Sequence, residues 1–281
     1  MMRSLFSGVS GLRTHQLKMD VIGDNIANVN TVGFKRSAVT FKDVFYQTLR
    51  GGAASDTSGT GVGGTNAQQI GLGVALNSID VVHTQGAAAS SNNGTDLMIQ
   101  GDGFFIVSDG ANAYLTRSGA FHFDDQGYLV TAEGLKVARE ATANGDSITA
   151  DDFIKIDTDA QSFSISKDGR VSFVQADGTI DDGTANQIKL AKFVNPGGLE
   201  KVGSNLYKFT LAAGEGEVAN PGEVDTGLAN ASLIPSTLEM SNVELAQEFT
   251  DMIITERGFQ ANARTITTSD QMLQELVNLK R

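Results

Sequence analysis

SNVELAQEFTDMIITERGFQANARTITTSDQMLQELVNLKR, residues Ser241 to Arg281, is the stretch whose reading decides the fold. Taken in steps of four and three it gives Leu245, Phe249, Met252, Glu256, Phe259, Ala263, Ile266, Asp270, Leu273, Val277 and Lys280. That is the spacing of a heptad seam, and only Glu256, Asp270 and Lys280 break its apolar character. Ser241-Asn242-Val243-Glu244 has the Ser-x-x-Glu form of a capping box, in which two side chains each satisfy a free amide of the first turn. Pro235 lies upstream, no proline falls inside, and the single Gly258 costs about 1 kcal/mol relative to alanine. The pattern predicts a long amphipathic helix over residues 238–281. Alone, its apolar seam would face water, so the helix needs a partner, in this chain or another.

The other end of the chain offers one. Leu5, Leu12, Met19 and Ile26 fall seven apart, with Val9, Gln16 and Gly23 between them. This weaker seam predicts a helix over residues 3–30, ending where Asn28-Val29-Asn30-Thr31-Val32-Gly33 favours a turn. Two helices with one apolar stripe each predict that the termini pair; the plainer alternative is a helix hairpin capping an ordinary core.

Between them the pattern changes. Phe41, Val44, Phe45 and Leu49 lie at helical spacing and suggest a short amphipathic helix. Residues 51–66, GGAASDTSGTGVGGTN, have nothing to bury and read as a linker or extended arm. From Ile70 to Leu211 the period is two: Leu72, Val74 and Leu76 alternate, as do Leu97 and Ile99, Phe121 and Phe123, Phe163 and Ile165, Val171 and Phe173, Ile188 and Leu190, Tyr207 and Phe209. Asn93-Gly94, Asp109-Gly110, Asp124 to Gly127, Lys167-Asp168-Gly169 and Asp177-Gly178 punctuate them, the sign of an antiparallel β domain with tight hairpins. The expected fold is α+β: paired N- and C-terminal coiled-coil-like helices with an inserted antiparallel all-β domain. Its parts are an N-terminal helix in 1–33, a connector with a Gly/Ser-rich arm in 34–69, the β domain in 70–237 with a small elaboration over 140–185, and the C-terminal helix in 238–281.

Composition narrows the function classes. The chain has 281 residues, a formal charge of −12 and no cysteine. An acidic balance argues against nucleic-acid binding, which needs a basic surface. Without cysteine there is no disulfide, thiolate metal site or Cys nucleophile. No apolar run approaches the roughly 18–20 residues of a membrane span. Ser4, Ser7, Gly8, Ser10, Arg13 and His15 interrupt any signal-peptide centre, so export would use a route that cleaves no such signal.

Candidate chemistry is thin. Gly59-x-Gly61-x-x-Gly64 matches a dinucleotide fingerprint but lacks the strand before it and the helix after it, so it reads as linker. Asp124-Asp125 and Asp181-Asp182-Gly183 lack the spacing of a calcium loop and read as hairpin turns. His15, His83 and His122 show no metal-ligand spacing and read as surface or strand-edge residues. Ser118-Gly119 is not a nucleophile elbow. Asn93-Gly94-Thr95 is a glycosylation sequon that also suits a type I′ turn, the favoured reading. No catalytic residue, metal or cofactor is expected. A secreted β-domain enzyme or binding module is the remote alternative; without tryptophan and with four tyrosines, a sugar-stacking face is poorly supplied.

Three motifs carry a family resemblance. Met19 to Lys35 (MDVIGDNIANVNTVGFK) resembles the N-terminal signature of the bacterial flagellar rod and hook proteins, with Asn25, Asn28, Asn30, Thr31, Gly33, Phe34 and Lys35 as its signature residues. Gln100-Gly101-Asp102-Gly103-Phe104-Phe105 resembles their β-domain motif. Glu239 to Val243 and Arg257 to Asn262 resemble their C-terminal motif. Within the family, Thr40-Phe41-Lys42-Asp43 and the closing Gln274 to Arg281 resemble the hook branch most. The length is closer to the distal rod, because many hook proteins carry a further β domain.

The resemblance implies a structural subunit of the flagellar hook, a hollow helical tube that transmits torque, with a distal-rod subunit as the alternative. It implies terminal helices that order on assembly and export through the flagellar channel to the hook and basal body. The implied partners are other copies of the chain, the rod, hook-cap and hook–filament junction proteins, and the export apparatus. Leu5, Val9, Leu12, Met19 and Ile26 on one helix, and Leu245, Phe249, Met252, Phe259, Ala263, Ile266, Leu273 and Val277 on the other, are the expected assembly interface. Gly8, Gly11, Gly23, Asn25 and Asn28 would either let neighbours approach or serve local turns.

Overall fold

The structure, a computed structural model, describes residues 2–54, 64–144, 147–157, 159–176, 178–181, 183, 186–223, 228 and 230–279. Two compact units share the chain. One contains Met1–Ile26, Ser37–Asp80 and Glu244–Arg281; the other contains Ala27–Arg36 and Val81–Val243.

The first unit holds the two long helices, α1 (Met2–Ala27) and α2 (Leu245–Asn278). Both were expected, but α2 starts four residues after the anticipated cap. Glu244 is the N-cap and makes no side-chain cap bond. Tertiary bonds explain the delay. Asn242 Nδ2 donates to the Val82 carbonyl at 2.8 Å and Asn242 Oδ1 accepts from the Arg36 amide at 2.8 Å. The Met240 amide bonds the Ala87 carbonyl. With its polar groups so committed, the segment stays extended through Val243, and Ser241 Oγ takes only the Val243 amide.

The short helix expected over residues 34–50 is absent. Ser37–Asp43 is a strand paired with Val74–Val81, and Tyr46–Arg50 pairs antiparallel with Gln68–Gly71. Helical spacing in so short a run is a weak signal, and strand pairing across some thirty residues overrides it. The second ribbon is exposed at every position, Tyr46, Leu49 and Ile70 included. Of the Gly/Ser-rich arm, residues 55–63 lie outside the described residues, as do Gly59 and Gly61; Ala53 bridges Thr65 at its base.

The second unit is antiparallel β throughout its strand pairs, as expected. A ten-stranded sheet runs Glu200–Gly203, Leu206–Lys208, Ala113–Thr116, Phe104–Ser108, Lys136–Asn144, Leu129–Thr131, Phe121–Phe123, with Ser147–Phe153, Leu190–Phe193 and Gly216–Ala219 paired off this path. Ser162–Ile165, Val171–Val174 and Ile180–Asp181 form a smaller sheet. Strand Phe104–Ser108 is buried at all five positions. Phe105 and Val107 enter one core with Leu97, Leu129, Val137 and Leu190, while Phe104 and Ile106 enter another with Leu115, Phe193 and Tyr207. A strand covered on both faces reads as a continuous apolar run, which is why it did not stand out among the alternating ones.

The turns at Asp109-Gly110, Asp124 to Gly127 and Lys167 to Gly169 join hairpins, with Gly110, Gly127 and Gly169 at positive φ. Asn93-Gly94 does not form a type I′ turn. Positive φ falls on Asn92 instead, and the flanking strands pair elsewhere, Ala88–Ser90 with Thr237–Glu239 and Leu97–Gln100 with Ser232–Pro235.

Candidate functional site: a helix pair with one open flank and a buried ion cluster

Within the first unit α1 and α2 run antiparallel in fixed register. Ser4 Oγ lies 3.4 Å from Ser269 Oγ, and Asn25 Nδ2 donates to Glu248 Oε2 at 3.2 Å. Between these ends the contact is too close for ordinary side chains. A Cβ on Gly11 would sit 2.7 Å from Asn262 Nδ2, and one on Gly258 would sit 2.6 Å from His15 Cε1. Gly8 faces Thr265 and Ile266 in the same way. Gly23, expected to share this role, has open space around it. The residues that α1 and α2 bury are accordingly small or polar in the main: Gly8, Gly11, Thr14, Ile22 and Asn25, with Glu248, Thr255 and Ser269.

The contact line does have heptad spacing, but it is not the apolar seam. Ser4, Gly8, Gly11, His15, Ile22 and Asn25 precede Leu5, Val9, Leu12, Gln16, Gly23 and Ile26 by one residue each. Glu248, Thr255, Gly258, Asn262, Thr265 and Ser269 precede Phe249, Glu256, Phe259, Ala263, Ile266 and Asp270 likewise. One residue is about 100° around an α-helix. In an antiparallel pair equal offsets fall on the same side, because the second helix is turned end over end. Both apolar stripes therefore flank the contact on one side.

None of the thirteen expected seam residues is buried. Val9, Leu245, Phe249, Phe259 and Val277 are exposed; Leu5, Leu12, Met19, Ile26, Met252, Ala263, Ile266 and Leu273 are half-buried. The other flank of α1 is occupied: the Val74 amide bonds Ser10 Oγ at 3.3 Å, and the Phe41 ring stands edge-on to His15. Burial, with a smaller push from Lys18, lowers the His15 pKa. Gly8, Gly11 and Asn25 were legible on α1 as small or polar residues suited to close approach; what sequence reasoning missed was the matching line on α2, whose signal was the recurrence of Thr, Gly, Asn and Ser at the same four-three spacing.

The N-terminal signature closes two junctions. In the first unit Asn25 spans the start of strand Ser37–Asp43, its Oδ1 accepting from the Ser37 amide and its Nδ2 donating to the Ser37 carbonyl, each at 2.9 Å. In the second unit Asn28 and Thr31 bond each other through both side chains and backbone, and Asn30 is exposed in the same turn. Gly33 has φ of 71°, its amide donates to the Glu239 carbonyl, and a Cβ there would strike the Ser118 amide at 2.6 Å. Phe34 is buried beneath the Lys201 ammonium.

Lys35 then reaches the centre of the second unit. Its Nζ donates to Glu239 Oε1 at 2.6 Å and to the Thr84 carbonyl at 2.7 Å. Arg117 Nε donates to Glu239 Oε2 at 2.9 Å, and its other nitrogens to the carbonyls of Gly101 and Gly103. The Gly86 amide completes the shell of Glu239. All three charges are almost wholly buried. Burial alone would raise the Glu239 carboxyl, but Arg117, Lys35 and the Gly86 amide hold it below its usual range. Burial lowers the Lys35 pKa against the opposing pull of Glu239. Thus the three resembling motifs meet here: Lys35 from the first, Gly101 and Gly103 from the second, Glu239 from the third.

This meeting point agrees with the comparisons. Residues 5–35 match a family described as flagella basal body rod protein, residues 98–173 the flagellar hook protein FlgE/F/G D1 domain, and residues 234–279 the flagellar basal body rod FlgEFG protein C-terminal region. The flagellar basal-body rod protein FlgG of Bacillus subtilis (strain 168) is 51% identical over 282 residues, covering 100% of both chains. The chain belongs to the flagellar rod and hook protein family. Another rod/hook relative, the FlgG of Caulobacter vibrioides, is 38% identical over 282 residues, with 99% of this chain and 100% of its own covered. The flagellar hook protein FlgE of Borreliella burgdorferi is 31% identical, and its alignment extends to 449 residues. These relatives are named as rod and hook proteins, a structural family. Among the described residues of this rod/hook chain no group of His, Cys, Asp or Glu could hold a metal, and no helix is long and apolar enough to cross a membrane.

His83 corrects an expectation. It is half-buried and not in a strand: it follows strand Val74–Val81, its ring packs on Phe104 and Tyr207, and both ring nitrogens are shut off from water. Its pKa is lowered to about 4 by burial, with help from Lys35, Arg117 and Lys201; the Pro196 carbonyl opposes this. His122 is exposed, as anticipated.

Proposed function

We propose that this chain is a subunit of the distal rod of the bacterial flagellum, which self-assembles into the hollow drive shaft that carries torque to the hook. The observation that supports self-assembly is the helix pair's one-sided apolar flank. Leu5, Val9, Leu12, Met19 and Ile26 lie beside Leu245, Phe249, Met252, Phe259, Ala263, Ile266, Leu273 and Val277, all still reached by water in the single chain. An apolar strip on that scale needs covering, and the next copy of the chain supplies a matching one. The helices thus pair within the chain by small residues and join neighbouring chains by large ones, a coiled-coil-like contact between copies.

Rod is favoured over hook by length and likeness. FlgG relatives match from end to end without a large insertion, at up to 51% identity, whereas the hook alignments run to 449 and 470 residues at 31% and 30%. The hook reading rests on Thr40 to Asp43 and the closing Gln274 to Arg281. The implied neighbours are other copies, the hook and its cap and junction proteins, and the flagellar export apparatus.

Immunogold labelling of an epitope-tagged chain in purified hook–basal bodies tests the assignment. Gold on the straight rod is the expected result; gold along the curved hook would replace the rod with the hook.

A further inference from the structure

Lys35, Arg117 and Glu239 form a buried trio with two positive charges and one negative. Their exposures are 1%, 5% and 0%. A buried charge left without a counter-charge is costly, so the trio's unmatched positive unit calls for an anion. Asp102 is a poor candidate: it lies at the rim, 78% exposed, 3.4 Å from Lys192.

A cleft of about 250 Å³ opens onto this trio within the second unit. Lys35, Arg117 and Lys192 supply its cations, Asp102 its lining carboxylate, paired with Lys192, and Phe104, Phe193, Val194 and Pro196 its apolar walls. Its donors are not used up. Lys35 Nζ has three protons and gives two, to Glu239 and Thr84. His83, also on the lining, has both ring nitrogens buried and faces the Pro196 carbonyl. A spare Lys35 proton, excess positive charge and apolar walls together describe a receptor for a compact anion on a short hydrocarbon stem.

We propose that this cleft is a carboxylate-binding site, in which Lys35 donates to a carboxylate oxygen beside the His83 ring and Lys192 steers the anion from the rim. The carboxylate is either that of a small free acid or that of an Asp or Glu side chain from a second copy of this acidic chain. The second source rests on the self-assembly reading; the first does not.

The test uses the full chain, labelled at histidine and held below its assembly concentration at neutral pH. Formate is added against sodium chloride of equal ionic strength, and the His83 ring signal is followed by NMR, with exposed His122 as the reference. The expected result is a saturable displacement of the His83 signal that His122 does not share, weakened several-fold in Lys192→Gln, whose half-exposed side chain lies outside the buried trio. The same measurement on assembled tubes separates the sources. If formate moves His83 in tubes as it does in solution, the acid is free. If formate has no effect in tubes and Lys192→Gln lowers tube yield, a neighbour's side chain fills the cleft. A His83 signal that follows His122, or that chloride or phosphate displaces as strongly as formate, overturns the assignment.

Discussion

Lys35 Nζ stands 2.6 Å from Glu239 Oε1, across 204 residues of sequence, with both side chains out of reach of water. This ion pair fastens the turn after α1 to the segment that leads into α2. Arg117, the residue after strand Ala113–Thr116, adds a third anchor. Deleting the shared anion should strand two buried cations. Glu239→Gln is expected to destabilise the second unit by about 3–5 kcal/mol, the usual cost of breaking a buried pair. Urea unfolding followed by near-UV circular dichroism measures it, and a loss under 1 kcal/mol would mean that the cluster holds little.

The helix register makes a sharper prediction. Gly11→Ala places a methyl group against the Asn262 side-chain amide, so it should cost about 1–3 kcal/mol in the first unit as overpacking. Asn262→Ala removes the obstacle. The double variant should therefore be less damaged than the two single losses added together, a coupling that a double-mutant cycle reads directly. Strict additivity would place the two residues apart.

The apolar flank predicts an assembly defect without a folding defect. Phe259→Asp or Leu273→Asp puts a charge on a surface that is partly wet in the single chain. The expected product is a soluble chain that no longer forms tubes, with an unchanged near-UV spectrum from its β unit. Sedimentation decides it: tubes at normal yield would remove these side chains from the interface.

His83 makes stability fall in mild acid. Its pKa lies at about 4 in the fold against an ordinary 6.5. A depressed pKa means that the unfolded chain takes up the proton first. The stabilisation is therefore complete above pH 6.5 and drains away as pH falls towards 4. A displacement of that size corresponds to about 3 kcal/mol over the whole range. Urea midpoints measured from about pH 7.5 to about pH 5 should decline, and His83→Gln should flatten the decline. An unchanged slope in the variant would assign it to other groups, the Glu239 cluster first among them.

Periodicity over long stretches was a reliable guide because each long element has one buried side and one wet side. The helices and the β unit with its Asp-Gly hairpins could be read for that reason, and the family could be read from its three motifs. Short or doubly covered elements could not. Ser37–Asp43 depends on a partner strand that starts at Val74, and Phe104–Ser108 is covered on both faces. The N-cap at Ser241 failed because its neighbour Asn242 is bound to Val82, Thr84 and Arg36, none of them local.

By itself, then, the sequence determined that each terminal helix carries an apolar stripe, since that follows from residue spacing alone. Only the tertiary structure decided which stripe meets which. Within the chain the close approach goes to the small residues one position earlier, Gly8, Gly11 and Gly258, because backbones can draw near only where side chains are absent or short. The large apolar residues are thereby turned to one open side. Their spacing revealed that they seek burial; it held no record of a shorter-range contact competing for the same helices.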